Sequence, residues 1–241
     1  MRFKVMSYNI HSGIGTDGKP DWRRIAALIK EQNPDLLALQ EVAIGHARSP
    51  QLDLFAELQA ELQMYGAFGK AIAINEGKGE YGLAALSKYP CELIEKILLP
   101  TPAGHEQRIS LLFHIQAPKS FYFIVSHFSY QGEFAQCEAN REESARLIRQ
   151  TVLKNSYQPV VWAGDFNTYW GMPTIDYIGR HWDIHNQAKP DLPTAFGSKA
   201  GWQQIDYICS APKGNMRCLD FEVIDDLVAS DHRPVCCTLE L

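Results

Sequence analysis

Apolar positions along the chain fall into two rhythms. Residues 3–8, 36–39, 121–125 and 160–163 are short, nearly continuous apolar runs, the pattern of strands buried on both faces. Each hands over to polar residues at its carboxyl end: Asn9 with His11, Gln40 with Glu41, Ser126 with His127 and, through Gly164, Asp165 with Asn167. Ligand sites of open α/β sheets lie at the carboxyl ends of strands, so four polar termini point to one convergent pocket. Residues two apart in an extended chain share a side, so Asp165 and Asn167 are expected to project together, with Gly164 as the bend where the chain leaves the sheet. An Asx-rich turn closing the strand is the alternative.

The second rhythm is helical. Trp22, Ile25, Leu28 and Ile29 share a face over residues 21–32, with Asp21 as N-cap and Asn33-Pro34 as the stop. Leu54, Phe55, Leu58 and Leu62 do the same over residues 51–64, and Ala145, Leu147, Ile148 and Val152 give a broken stripe over residues 134–153. Between the first two helices, residues 42–49 are expected as a polar loop at the pocket mouth, and the glycine-rich residues 13–18 as a flexible loop beside it. Residues 67–115 read as turn-separated strands, clearest at 82–86, 93–99 and 108–115.

Near the end of the chain Asp206 falls inside an apolar run, and Ser230-Asp231-His232 precedes the last strand. A carboxylate within an apolar run is costly unless something pairs with it, and His232 is the natural partner.

Composition narrows the class. A chain of 241 residues, 46% hydrophobic and 21% charged, fits one domain over residues 1–241. The net charge of −5 argues against general electrostatic attachment to nucleic acid. No apolar run approaches the roughly 20 residues of a membrane helix. Met1-Arg2 leads straight into the first strand without a leader pattern, so a cytoplasmic location is expected. The six cysteines lack paired short spacing and are expected as reduced thiols rather than a disulfide framework or zinc site. His46, His105, His114, His181 and His185 show no metal-ligand spacing and receive no role.

In chain order, Asn9 with His11, Gln40-Glu41, Ser126-His127, Gly164-Asp165-Phe166-Asn167, Ile205-Asp206-Tyr207 and Ser230-Asp231-His232 resemble the motif series of the endonuclease/exonuclease/phosphatase superfamily of metal-dependent phosphoesterases. The resemblance implies an α+β, four-layered α/β sandwich: two mostly antiparallel sheets packed face to face with helices outside. It also implies Mg2+ as cofactor, with Mn2+ able to substitute. Glu41 is then the principal metal ligand, assisted by Asn9 and Asp231, which suits magnesium's preference for hard oxygen donors. Asp165 would orient or deprotonate the attacking water, and Asn167 would steady the phosphoryl oxygens. Asp206 would fix the ring of His232, which donates to phosphate or takes a proton, with His127 as a second donor. Arg108, His11 and Glu80 are the substrate-side candidates, Arg108 to touch phosphate and Glu80 to orient His127.

Members that incise abasic DNA tend to carry Asn or Asp where this chain has His11, and a basic residue where it has Val42. With the acidic balance, that departure favours a phosphodiesterase or phosphatase acting on a small ester or lipid head group. A DNA or RNA nuclease, or a catalytically silent binding module, are the alternatives, and no obligate protein partner is implied.

Overall fold

The structure, a computed structural model, describes residues 1–197 and 201–241. The chain begins with β1 (Arg2–Asn9), crosses through α1 (Trp22–Gln32) and returns as β2 (Leu36–His46). α1 forms where the pattern places it. Asp21 accepts from Arg23 N at 3.2 Å, Trp22, Ile25, Ala26, Leu28 and Ile29 are buried, and Asn33 closes the helix in the left-handed region at φ 49°.

Two expectations fail in the next segment. Residues 42–46 are not a loop: they extend β2, pairing Val42 with Gly82, Ala43 with Tyr81 and Ile44 with Glu80. Val42 and Ala43 are buried, and the chain turns outward only from Ala47. The second helix also starts later than its periodicity predicts, because residues 51–53 belong to β3 (Ser49–Asp53). Asp53 then caps α2 (Leu54–Leu62) by accepting from Ala56 N at 2.9 Å.

The turn-rich middle becomes β4 (Tyr65–Ile74), β5 (Gly79–Ser87), β6 (Cys91–Leu98), β7 (Ile109–Ile115) and β8 (Phe121–His127). α3 (Phe134–Asn155) leads to β9 (Val160–Asp165) and then to α4 (Pro173–His181), which buries Thr174, Ile175, Tyr177 and Ile178 on one face. β10 (Asp183–Ile184), β11 (Ala195–Gly197), β12 (Gly201–Gln203), β13 (Asp206–Ala211), β14 (Arg217–Val223) and β15 (Val235–Glu240) complete the described elements.

The first sheet runs β14-β15-β1-β2-β5-β4 with β3 beside β2, the second runs β10-β13-β9-β8-β7-β6, and β11 pairs with β12 separately. Both large sheets are antiparallel except for one pair each, β1 with β2 and β8 with β9. A parallel pair needs a crossover, and α1 and α3 supply it, so each half repeats a strand–helix–strand unit. Phe3, Val5, Leu36, Ala38, Phe123, Val161 and Ala163 fill the space between the sheets. Met6, Ile25, Leu37 and Leu58 pack α1 and α2 on the first sheet, while Trp162, Ile148 and Ile178 pack α3 and α4 on the second. Three apolar layers between four layers of structure make the expected α+β sandwich. No described helix is long and apolar enough to cross a membrane.

Gly164 lies inside β9 rather than at a bend beyond it, opposite Tyr207 on one side and Ser126 on the other. A Cβ there would overlap the Ser126 carbonyl oxygen, so close approach of β8, not turning, requires the glycine. Gly164→Ala is expected to cost about 1–3 kcal/mol through overpacking. A lowered urea midpoint at unchanged slope would show it, and a parental midpoint would contradict it.

Candidate active site

The inward-facing stripe of each central strand is apolar at first and polar toward its carboxyl end, with Ser7 already polar on β1. Phe3 and Val5 precede Asn9 on β1, Leu36 and Ala38 precede Gln40 on β2, Phe123 and Val125 precede His127 on β8, and Val161 and Ala163 precede Asp165 on β9. Strand side chains alternate between faces, so these polar residues continue the inter-sheet core and open it at one end.

Register then assembles the second sheet's share. Asp165 pairs with His127 across the parallel β8–β9 ladder and with Asp206 across the antiparallel β9–β13 ladder. Two carboxylates directly opposite one another repel, and both are buried. Burial first, then the Asp206 charge, pushes the Asp165 carboxyl up to about 7. His232, from the segment before β15, bridges them: Nδ1 is 2.9 Å from Asp206 Oδ2 and Nε2 is 3.8 Å from Asp165 Oδ2. Burial opposes charge on this ring, but the carboxylates of Asp206, Asp165 and Asp231 together outweigh it and push His232 up to about 10. His232 is therefore an imidazolium at neutral pH.

The first sheet contributes Asn9 and Glu41. The β2–β5 register slips between Leu39 and Val42, and Glu41 takes φ 59° within that bulge. Asn9 Nδ2 donates to Glu41 Oε1 and to Asp165 Oδ2, each at 3.1 Å, and lies 3.5 Å from His232 Nε2. One amide thus bridges Glu41 and Asp165, with His232 Nε2, itself a donor, beside it. Its Oδ1 accepts from His11 N at 3.1 Å, which leaves one lone pair of that oxygen for a further partner. Ser230 Oγ donates to Asn9 O at 2.7 Å and accepts from His232 N at 3.3 Å, tying the two segments.

His127 is fixed by Arg108. Nη1 of Arg108 lies 3.2 Å from His127 Nδ1, and because a guanidinium only donates, the ring proton sits on Nε2, 3.4 Å from Asp165 Oδ2. Burial, then the charges of Arg108 and His232, hold His127 well below the usual imidazole range, so it is neutral. Arg108 is 3% exposed, pairs with Glu106 at 2.6 Å and is no solvated strand end. Glu80 does not orient His127: it pairs with Lys70 at 3.2 Å on the surface, and both ring nitrogens of His127 already have neighbours.

His11 and Asn167 occupy matching positions. Each has a positive φ, 44° and 50°, and each donates its backbone N–H to the side chain two residues earlier, Asn9 and Asp165. Both strands therefore close in an Asx turn, which aims the polar cluster rather than replacing it. Asn167 Nδ2 also donates to Phe128 O at 3.0 Å. Asp231 is exposed, with Oδ1 3.8 Å from His11 Nδ1.

Several supporting residues escape the sequence pattern. Glu138, buried on α3, accepts from Thr168 Oγ1 at 3.0 Å and Thr174 N at 2.9 Å and pairs with Arg141 at 3.1 Å, clamping the segment after Asn167. Thr194 Oγ1 accepts from Asp206 N at 3.2 Å, and Asn186 Nδ2 donates to Asp206 O at 2.9 Å. Glu138 and Arg141 as charged residues three apart on a buried helical face were the available signal.

The cluster suits a cation. Carboxylates of Glu41, Asp165, Asp206 and Asp231 gather near the single imidazolium of His232, and Asp206 Oδ1 is buried with no hydrogen-bond partner among the described residues. Polar atoms of Asp165, Asp206 and His232 lie within 4.8 Å of one another, and because the protonated His232 ring only donates, the carboxylates are the groups that can face a cation. Without a cation, ionised Asp165 should weaken the fold. Its folded pKa is raised, so the penalty is absent below the unfolded value near 3.8, grows as pH rises from there to about 7 and is constant above it. Metal-free Asp165→Asn is expected to exceed the parent in stability at pH 8 by roughly 1–4 kcal/mol and to match it near pH 4. Denaturant titrations at the two pH values check this, and a variant less stable than the parent at pH 8 would refute it.

Residues 6–232 match the profile of the Endonuclease/Exonuclease/phosphatase family. A protein of that description from Beutenbergia cavernae DSM 12333 superposes with a TM-score of 0.82 at 23% identity, over 100% of this chain and 72% of that one. A mannosyl-6-phosphatase of Bacteroides thetaiotaomicron VPI-5482 gives 0.76 at 17% identity, over 99% and 100%. The human Nocturnin catalytic domain, with a bound sulfate anion, gives 0.76 at 18% identity, over 99% and 94%. These likenesses establish the fold, and the profile match over most of the sequence establishes kinship: the chain belongs to the Endonuclease/Exonuclease/phosphatase family.

Proposed function

We propose that this member of a family of phosphate-ester hydrolases is an Mg2+-dependent phosphodiesterase or phosphatase, active in one domain, that directs in-line attack of water on phosphorus in a small ester or lipid head group. The reading rests on Asn9 Nδ2, around which Glu41, Asp165 and His232 meet. A hard divalent cation, Mg2+ or Mn2+, on Glu41 and a carboxylate such as Asp231 would supply charge that opposes the developing negative charge on phosphoryl oxygens.

The chain's own groups divide the remaining work. Asp165, pushed up to about 7, takes a proton from water near neutral pH. His232, an imidazolium held by Asp206, donates to a phosphoryl or leaving oxygen rather than acting as a base. Neutral His127 offers its Nε2 proton, with Arg108 fixing that tautomer, and Asn167 keeps one amide hydrogen for the phosphate. General acid–base help is worth roughly 3–5 kcal/mol, whereas phosphate-ester hydrolysis needs well over about 10. Fixed donors and bound charge must supply most of the difference.

Substrate size favours the small-ester reading. Beside the cluster, Ser12, His46, Ile72, Asn75, Tyr81 and Glu106 line a cleft of about 250 Å3. Ligand pockets run roughly 300–1,000 Å3, so a cleft of this size suits a small head group. Val42 is buried against the helices and cannot meet substrate. The phosphatase and the sulfate-bound domain among the fold relatives support phosphoryl recognition.

With Mg2+, turnover of small diesters, sugar phosphates or phosphoinositides is expected to exceed nicking of plasmid and abasic DNA. Faster DNA cleavage, with binding falling steeply as salt rises, would overturn the assignment in favour of a nuclease. Chelation of divalent ions should abolish turnover. Asp165→Ala and His232→Ala should each lower kcat at least about a hundredfold in folded protein. Near-parental rates in either variant would contradict the roles of Asp165 as base and His232 as acid.

A further inference from the structure

We propose that His185, Cys218 and Cys237 form a second metal site, one that takes zinc or a similar borderline-soft divalent cation and ties the edge of one sheet to the edge of the other. Cys237 lies on the inward stripe of β15, Cys218 on the edge strand β14, and His185 in the turn after β10, the opposite edge strand. Their ligand atoms all lie within 4.8 Å of one another. Ser210, beside His185, is four residues beyond Asp206 along β13, roughly 13 Å from the active site at strand spacing.

The sulfur spacing distinguishes an ion from a bond. Cys218 Sγ and Cys237 Sγ are 3.4 Å apart. A tetrahedral zinc with bonds of about 2.3 Å holds its sulfurs about 3.8 Å apart, so the thiols need to separate by only a few tenths of an ångström. A disulfide needs about 2.0 Å and a much larger closure. Register explains the approach: Cys218 pairs with Leu239 and Phe221 with Cys237, with a bulge between Cys218 and Asp220 that sets the two cysteines diagonally across the β14–β15 ladder.

The histidine is prepared for the same task. His185 is 6% exposed and its Nε2 lies 2.9 Å from Ser210 Oγ, which fixes the ring and leaves Nδ1 for the ion. Outer hydrogen bonds of this kind orient metal-bound imidazoles. A cavity of about 540 Å3 borders His185 and Cys218 together with Asp183, Gln187, Arg217 and Asp220, giving an ion a route in and a fourth position open to water. Two sulfurs and a nitrogen select a softer ion than the oxygen-rich active site does.

Cobalt(II) is the probe. Reduced, metal-free protein titrated with Co2+ should develop thiolate-to-cobalt charge-transfer absorption in the near ultraviolet that saturates at one equivalent and is displaced by Zn2+. Cys218→Ser and His185→Gln should each weaken that binding at least about tenfold. Cys236→Ser and Glu41→Gln should leave the band unchanged, which separates this site from the phosphoesterase centre. Zn2+ should also raise the midpoint of thermal unfolding by more in the parent than in Cys218→Ser, the difference being this site's share. No band in fully reduced protein, a band that survives Cys218→Ser, or a Cys218–Cys237 disulfide whose reduced form binds no Co2+ would overturn the proposal.

Discussion

The repulsion between Asp165 and Asp206 is the constraint from which the site is built. Their strands are hydrogen-bonded in a register that sets the two carboxylates directly opposite, and both are almost fully buried. Within the ladders only the neutral His127 faces Asp165, its Nε2 3.4 Å from Oδ2, and it brings no charge. Relief comes from outside: His232 from the segment before β15, Asn9 from the other sheet, and the Asn167 backbone N–H from the turn beyond β9. A protein selected only for stability would place apolar residues there, because removing charge from a dry cluster is often neutral or favourable. The local expense marks a site kept for chemistry.

The sandwich makes this possible by giving each central strand an inward stripe that is apolar for most of its length and polar at its end. The sheets hold Asn9 and Glu41 on one side and His127, Asp165 and Asp206 on the other, so the two meet only because the core between them keeps the sheets in place. The glycine at 164, allowing β8 and β9 to approach, and the Glu138 clamp beneath residues 168–174 are parts of that support.

Much of this was readable in the sequence, because apolar runs ending in polar residues are a local signal. Asn9, Glu41, His127 and Asp165 converge from the ends of strands, and Asp206 meets His232 as a carboxylate within an apolar run requires. What sequence could not supply depends on register and on partners distant in the chain. The bulge at Glu41 let β2 continue where a loop was expected, since a left-handed residue inside a strand leaves no compositional trace. Glu80 lost its proposed partner because Arg108, itself buried, occupies Nδ1 of His127. The thiol pair Cys218 and Cys237 and the imidazole of His185 have no short spacing to betray them; they meet only where the two sheet edges close.

The central claim is that His232 is held as a cation by the opposed carboxylates, and the ring's own titration tests it most directly. Nitrogen-15 spectra of selectively labelled metal-free protein should show the His232 imidazolium persisting until about pH 10, with the midpoint falling sharply in Asp206→Asn. A ring that titrates near 6.5 in the parent, unmoved by Asp206→Asn, would contradict the account.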